Sequence, residues 1–276
     1  MPSYTAADIK ALRERTGAGM LDVKKALDEA EGDTAKAVDI LRVKGLKGVT
    51  KREGRSASNG LVAAHVEGGT GVLVEVNCET DFVAKGETFQ ALAQQVLDAA
   101  VSSGAADAEA LASVDAGDGR TVQQLLDDGN ATIGEKLVLR RVARVEGDQV
   151  ASYLHRTSPD LPPQIGVLVA FSGDDAATAR DVALHTAAMS PRYLTTDEVP
   201  EEQLEAERRI AHETAVNEGK PEQALPKIVE GRLKGYLKEN VLLEQAFSKD
   251  NKKSVGQVLS EAGLSVSAFA RFRVGA

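Results

Sequence analysis

The sequence is poor in the residue types on which several kinds of chemistry depend. It has one cysteine, Cys78, in 276 residues, which excludes an internal disulfide and fits a reducing cytoplasm. Tryptophan is absent and aromatics make up only 4% of the chain, too few for a base-stacking platform. A net charge of −9 argues against nucleic acid as a direct partner of the whole surface. No apolar run approaches the ~18 residues of a membrane span, and Met1-Pro2-Ser3-Tyr4 opens a polar segment, not a signal peptide. No membrane partner is therefore expected. No glycine-rich loop leads into Lys-Ser or Lys-Thr, so a P-loop is missing. Gly17-Ala18-Gly19 is a fragment of a dinucleotide fingerprint that follows a helical pattern instead of a strand. His65, His155, His185 and His212 lack paired metal spacing, and Glu75, Glu79, Asp81 and Glu87 do not form a cage by spacing alone. Neither a metal nor an organic cofactor is expected.

What is present is organised around residues 71–84. Val72, Val74 and Val76 recur with the period of a strand face, and Leu73 makes the other face apolar too. The strand then runs into Cys78-Glu79-Thr80-Asp81-Phe82-Val83, where Thr80 and Asp81 favour a turn or a helix start. Two readings are open. Either Phe82 tucks into the core and Asp81 caps the next helix, or a large apolar residue is presented outward beside a carboxylate. The chain contains a comparison. Gly166-Val167-Leu168-Val169 repeats Gly71-Val72-Leu73-Val74 but continues into the polar turn Ser172-Gly173-Asp174-Asp175. The Thr-Asp-Phe-Val tip thus belongs to one of two related strands, which weakens a purely structural explanation. Cys78 could serve as a nucleophile with a distant histidine, although a lone cysteine at a strand end more often packs.

An apolar content of 42% supports two or more compact units, and the expected fold class is α+β. Residues 1–45 read as three short helices, a minimal bundle suited to docking. Thr5 caps the first, with Ile9 and Leu12 inward; Met20, Val23, Leu27 and Ala30 stripe the second; Val38 and Leu41 face in from the third, which ends at Gly45. Arg13, Arg15, Lys24 and Lys25 form a basic cluster there. Residues 46–60 read as a basic linker, the end of a tract holding Arg42, Lys44, Lys47, Lys51, Arg52 and Arg55 against Glu53. Residues 61–145 form one subdomain: a hairpin of strands, a helix through Ala100, a loop or weak helix over 101–120, a short helix over 121–126 and a strand over 137–145. Residues 146–276 repeat that order. Ser254-Val255-Gly256-Gln257-Val258-Leu259 echoes the 121–126 helix, and residues 269–274 close the sheet. A helix carrying Val182, Leu184 and Ala188 belongs to this copy, and His65 and His155 are expected in equivalent places at the ends of first strands. The second copy is longer, and the excess falls at about 197–238. There Leu204, Ile210, Ala211 and Ala215 or Val216 stripe one helix and Leu225, Val229, Leu233 and Tyr236 a second, joined by Gly219-Lys220-Pro221. Such a hairpin is expected to project, pairing internally or with another chain, which is a route to self-association.

At this point the residues are similar to a known family. Residues 16–27, Thr-Gly-Ala-Gly-Met-Leu-Asp-Val-Lys-Lys-Ala-Leu, and residues 75–84, Glu-Val-Asn-Cys-Glu-Thr-Asp-Phe-Val-Ala, resemble bacterial elongation factor Ts. Further matches are Ile133-Gly134-Glu135, Ser152-Tyr153-Leu154-His155, Ile165-Gly166-Val167-Leu168-Val169 and Val229-Glu230-Gly231-Arg232, so the likeness covers nearly the whole chain. The resemblance implies an N-terminal UBA-like three-helix domain, two related α+β core subdomains with antiparallel sheets, and a projecting antiparallel coiled-coil hairpin. It also implies a cytoplasmic guanine nucleotide exchange factor for elongation factor Tu, acting in translation elongation without covalent catalysis. By motif match, Thr80, Asp81, Phe82 and Val83 would dislocate the partner's Mg²⁺, and Arg13, Met20, Lys24, Ile133, Gly134 and His155 would bind the partner. Many members continue into an extra C-terminal helical module. This sequence stops at Ala276, so contacts made by that module are expected to be absent or replaced. An adaptor without exchange activity and a hydrolase using Cys78 are the competing readings.

Overall fold

In the computed structural model, residues 4–16, 18–52 and 54–276 are described. Expectations on Gly17 and Glu53, and on the side chains of Arg15, Arg42, Lys47, Lys51 and Arg52, lie outside the described residues. Three helices come first: α1 (Ala6–Thr16), α2 (Met20–Glu29) and α3 (Thr34–Arg52). Thr5 caps α1 reciprocally with Asp8: the Thr5 N–H donates to Asp8 at 2.7 Å and the Asp8 N–H to the Thr5 hydroxyl at 3.3 Å. These bonds to Thr5 hold the Asp8 carboxyl below its usual range. Leu12, Val23, Ala26, Leu27, Ala30, Ala37 and Leu41 form the shared core. Met20, placed on the α2 stripe from its spacing, is instead exposed, because it opens the helix beyond the edge of that core. The third helix does not stop at Gly45; it runs on to Arg52. An interior glycine costs a helix about 1 kcal/mol but, unlike proline, keeps its hydrogen bond.

Strands β1 (Asn59–Glu67), β2 (Thr70–Cys78) and β3 (Val138–Glu146) make one antiparallel sheet with β2 central. Between β2 and β3 lie α4 (Asp81–Lys85), α5 (Glu87–Ser103), α6 (Ala108–Ala112) and α7 (Val122–Ile133). The region read as loop or weak helix over 101–120 thus contains α6, and the short 121–126 helix is the first half of α7. A second antiparallel sheet orders β4 (Gln149–His155), β5 (Ile165–Ser172) and β8 (Ser265–Arg273) with β5 central. Its connections carry α8 (Ala176–Met189), α9 (Glu201–Asn217), α10 (Leu225–Asn240), a small ribbon of β6 (Ala246–Phe247) and β7 (Asp250–Ser254), and α11 (Val255–Glu261).

The two sheets pack face to face. Val72, Val74 and Val76 of β2 meet Phe89, Leu92 and Val96 of α5 and Leu125 and Leu126 of α7. Leu73 points the other way, into a cluster with Val62, Val145, Leu168, Ala170 and Phe272 that joins the sheets. Both faces of β2 are therefore covered, as its apolar run requires. The repeated Gly-Val-Leu-Val motif has a packing reason. A methyl group at Gly71 would come within 3.2 Å of the Leu168 side chain, and one at Gly166 within 2.8 Å of Leu73. Each leucine seats over the glycine of the opposite copy, where an added side chain would overpack the interface. The likeness of the copies extends to register shifts at matching places, Glu75/Val76 and Ala170/Phe171. The echoing segments are alike in structure too: Thr121 with Gln124 and Ser254 with Gln257 form capping boxes on α7 and α11.

Register separates the two histidines expected to be equivalent. His65 faces Val72 in β1, and the matching position in β4, opposite Val167, is Tyr153. His155 lies two residues further on, opposite Ile165. On α8, Val182 is buried and Leu184 half-buried, whereas Ala188 is exposed. Between α9 and α10, Ala211 and Ala215 are buried while Ile210 and Val216 are exposed. Small alanines allow the closest approach of two helices, so they took the contact and the larger residues turned outward. Pro200 occupies the N-cap of α9.

His185 fastens the root of this helical pair. The Ser248 N–H donates to Nδ1 at 3.1 Å, so the proton sits on Nε2, which donates to Gln245 Oε1 at 2.9 Å. The Gln245 amide in turn donates to the Glu239 carbonyl at the end of α10, 2.7 Å away. Burial lowers the His185 pKa below its usual 6.5, partly offset by the bond to Gln245. Above 6.5 both folded and unfolded chains hold this ring neutral. As pH falls below 6.5, the unfolded chain takes up a proton that the folded chain resists, and stability falls. Denaturant melts from about pH 7.5 to about pH 5.5 are expected to show stability decreasing with acid, with a shallower decrease in His185→Gln. Equal slopes would mean that His185 does not titrate differently on folding.

Candidate functional site

Just beyond the end of β2, a short helix leaves a phenyl ring almost entirely in water. Phe82 is 80% exposed, more than any other large apolar residue among the described residues. Its neighbours explain why it points outward. Thr80 caps α4 by accepting the Val83 N–H at 3.3 Å. Ala84 is buried and Val83 packs against the core of the first sheet, so the inward side of the short helix is already filled. Phe82 therefore does not tuck in, and the capping group is Thr80 instead of Asp81. Asp81 begins the helix and pairs with Lys85 one turn later at 2.9 Å. That hydrogen bond holds the Asp81 carboxyl below its usual range. The Lys85 ammonium also lies 5.9 Å from the centre of the Phe82 ring.

The tip is fastened by the loop after α7. Glu135 Oε2 accepts the N–H groups of Glu79 at 3.1 Å and Thr80 at 3.0 Å, and its other oxygen accepts the Thr80 hydroxyl at 2.6 Å. Glu79 returns the contact by accepting the Lys136 N–H at 2.7 Å, and it meets Arg55 at 3.3 Å. The loop itself is set by Gly134, which ends α7 with a positive φ of 87°, and by Asn130, whose side chain accepts the Leu137 N–H. Sequence reasoning placed Ile133 and Gly134 at the site but gave Glu135, Glu79 and Lys85 no role there. The available signal was an acidic residue directly after the glycine that closes an apolar helix.

The remaining residues singled out from the sequence occupy three places. Ile133 is half-buried against the first core and Gly134 is exposed beside the tip clasp. Arg13, Met20 and Lys24 are exposed on the three-helix bundle. A hydrogen bond of 3.4 Å from the Thr132 hydroxyl to the Thr16 carbonyl brings the end of α1 toward the end of α7. His155 is exposed at the end of β4, its Nδ1 3.1 Å from the Tyr153 hydroxyl, with the two rings stacked at 6.0 Å. The Lys85 pKa is raised chiefly by its bond to Asp81 and further by the charge of Asp160, in the loop that follows His155. The end of that loop meets β1 beside the end of β2, the Gln164 amide donating to the Gly60 carbonyl at 2.7 Å opposite Asn77, so the tip and the loop share one end of the core.

Cys78 has none of the properties of a nucleophile. It is buried and donates its S–H to the Thr80 carbonyl at 3.2 Å. Burial, with the nearby charge of Glu135, pushes the thiol up to about 12, so no useful thiolate exists near neutral pH. Glu75, another acid near the tip, is buried against Arg141. No helix among the described residues is long and apolar enough to cross a membrane.

Known proteins are similar to this sequence over its whole length. A family model described as elongation factor TS matches residues 79–276. The chain is 63% identical to an elongation factor Ts of Kineococcus radiotolerans over 276 residues, covering all of both chains. It is 64% identical to an elongation factor Ts of Beutenbergia cavernae over 282 residues and 64% to one of Kocuria rhizophila over 277, again across the full length of each.

Proposed function

The chain belongs to the elongation factor Ts family, and from that premise we propose that it is a guanine nucleotide exchange factor for elongation factor Tu. It promotes GDP release in translation elongation and acts in the cytoplasm without covalent catalysis. The observation that carries this reading is Phe82, held 80% exposed on a clasped, capped helix start beside Asp81. Such a tip is a rigid wedge. Phe82 enters the partner near its Mg²⁺ site, Asp81 disturbs the polar groups that hold the ion, and Thr80 and Val83 set the geometry from below. Mg²⁺ neutralises phosphate charge, so displacing it weakens the hold on GDP.

The exchange factor itself need bind no nucleotide. It must favour the empty partner over the loaded one, and linkage makes nucleotide weaken the factor equally. Accelerating release by ~10⁴-fold would require about 5.5 kcal/mol of differential stabilisation. One buried phenyl ring supplies about 2–3 kcal/mol, so the rest comes from docking. Arg13, Met20 and Lys24 on the bundle, Ile133 and Gly134 beside the tip, and His155 on the second sheet are the docking residues in this reading. The domain plan that goes with it is a UBA-like docking unit over 1–45, a basic connection over 46–60 that in its first part continues α3, core halves over 61–145 and 146–276, and a projecting coiled-coil hairpin at about 197–238 through which copies self-associate.

Release of a fluorescent GDP analogue from elongation factor Tu, followed with and without this protein, tests the proposal. A saturable acceleration by orders of magnitude is expected. Partner capture with an unchanged nucleotide off-rate would replace exchange with an adaptor role.

A further inference from the structure

The clasp between the β2 tip and the loop after α7 joins residues 55 positions apart, and it centres on one carboxylate. The N–H groups of Glu79 and Thr80 lie past the end of the β2 ladder, whose last paired residue is Cys78. Without another acceptor they would be unpaired at a partly buried turn, which costs about 1–3 kcal/mol for each group. Glu135 accepts both at 3.1 and 3.0 Å and takes the Thr80 hydroxyl with its second oxygen. Charge-assisted bonds of this kind are the stronger sort and fix direction as well as distance. Because the hydroxyl of Thr80 is also the cap of α4, the same carboxylate orients the first turn of the helix that bears Phe82. Glu135 is itself held. Gly134 turns the chain before it, and Asn130 binds the backbone of Leu137 after it.

We propose that Glu135 is a positioning residue for nucleotide exchange, one that aims Phe82 by fixing the backbone at Glu79 and Thr80. The proposal rests on the exchange reading above. In it Glu135 does not reach the partner; it sets the angle at which the wedge leaves the surface. A wedge with the right ring on a loose mount docks almost as well but acts less often, because fewer complexes hold the ring where it must go. Loss of Glu135 should therefore act on the maximal rate of exchange more than on the concentration that half-saturates it.

The experiment uses the full chain with Glu135→Ala and Glu135→Gln, each alone and combined with Phe82→Ala. GDP release from elongation factor Tu is measured across a range of factor concentrations. Glu135→Ala is expected to lower the maximal rate about tenfold or more while the half-saturating concentration moves by less than about threefold. Glu135→Gln should recover much of the loss, because an amide oxygen still accepts the two backbone N–H groups. In the Phe82→Ala background, Glu135→Ala should change the rate less than about twofold, since the wedge it aims is gone. Amide hydrogen exchange of the free protein gives a readout independent of the partner. Residues 79–83 should exchange faster in Glu135→Ala, with the strands of both sheets as protected as before. A wild-type maximal rate in Glu135→Ala, or an equal loss with and without Phe82, would overturn the proposal. So would unchanged exchange at residues 79–83. Should Phe82→Ala itself leave release untouched, the wedge reading falls together with this one, whereas a slow Phe82→Ala beside a normal Glu135→Ala removes only the positioning role.

Discussion

Phe82→Ala is expected to slow stimulated GDP release about 30- to 150-fold and to leave the melting temperature within about 2 °C. Both halves follow from where the ring sits. At 80% exposure it contributes almost nothing to the core, which at this corner is filled by Val83, Ala84 and Phe89. Truncating a surface side chain typically changes stability by less than about 0.5 kcal/mol, and for a chain of this size each kcal/mol moves the melting temperature by about 2–4 °C. The rate effect comes from the complex. Burying a phenyl ring is worth about 2–3 kcal/mol, and each 1.36 kcal/mol lost from the step that ejects the nucleotide is about tenfold. Val83→Ala provides the contrast, because Val83 packs on the first core. It should lower stability first and exchange only through that loss. Release by Phe82→Ala at the parent rate would take Phe82 out of the mechanism.

Much of this architecture is legible in the sequence alone, and what is not shares one property. The alternation of Val72, Val74 and Val76, the echo of the 121–126 helix at 254–259, and the helical pair on either side of Gly219-Lys220-Pro221 are all local patterns, and the chain folds as they indicate. The doubled Gly-Val-Leu-Val motif was visible as a repeat. Its reason was not, because each glycine answers to a leucine 93 or 97 positions away in the other copy. The Glu135 clasp, the Glu75–Arg141 pair and the His185–Gln245 bond likewise join residues 55 or more positions apart. Charged and polar residues carry no periodic signal that names their partner. Face assignments failed where two apolar residues were neighbours. Ala211 beside Ile210 and Ala215 beside Val216 offer the same stripe in sequence, and only the close approach of α10 selects the smaller residue of each pair. Hydrophobicity says that a residue is buried more readily than it says against what.

Arg141→Met should be the most destabilising single change away from the apolar core, lowering stability by about 3–5 kcal/mol and the melting temperature by roughly 6–20 °C. Glu75 lies in the central strand of the first sheet and is only 1% exposed. Its carboxylate meets Arg141 Nε at 2.8 Å, directly across the β2–β3 pair, and accepts the Asn77 amide at 3.1 Å. The guanidinium continues outward, donating to the Arg273 carbonyl at 3.0 Å and stacking 4.6 Å from the centre of the Phe272 ring. One side chain thus links the first sheet to the closing strand of the second. Methionine keeps the length of the stem but leaves a buried carboxylate with a single neutral donor and the Arg273 carbonyl with none from this direction. Removing the acid instead is milder. The Arg141 side chain is 34% exposed and can turn its charge to water, so Glu75→Leu should cost less than Arg141→Met. Glu75→Leu with Arg141→Met should recover most of the loss, since an apolar pair of similar volume needs no partner charge. Chemical denaturation of the four proteins measures all of this at once. A loss below about 1 kcal/mol in Arg141→Met would place the pair among surface ion pairs screened by water. Because neither residue touches the tip clasp, the folded fraction of each variant should still release GDP at the parent rate.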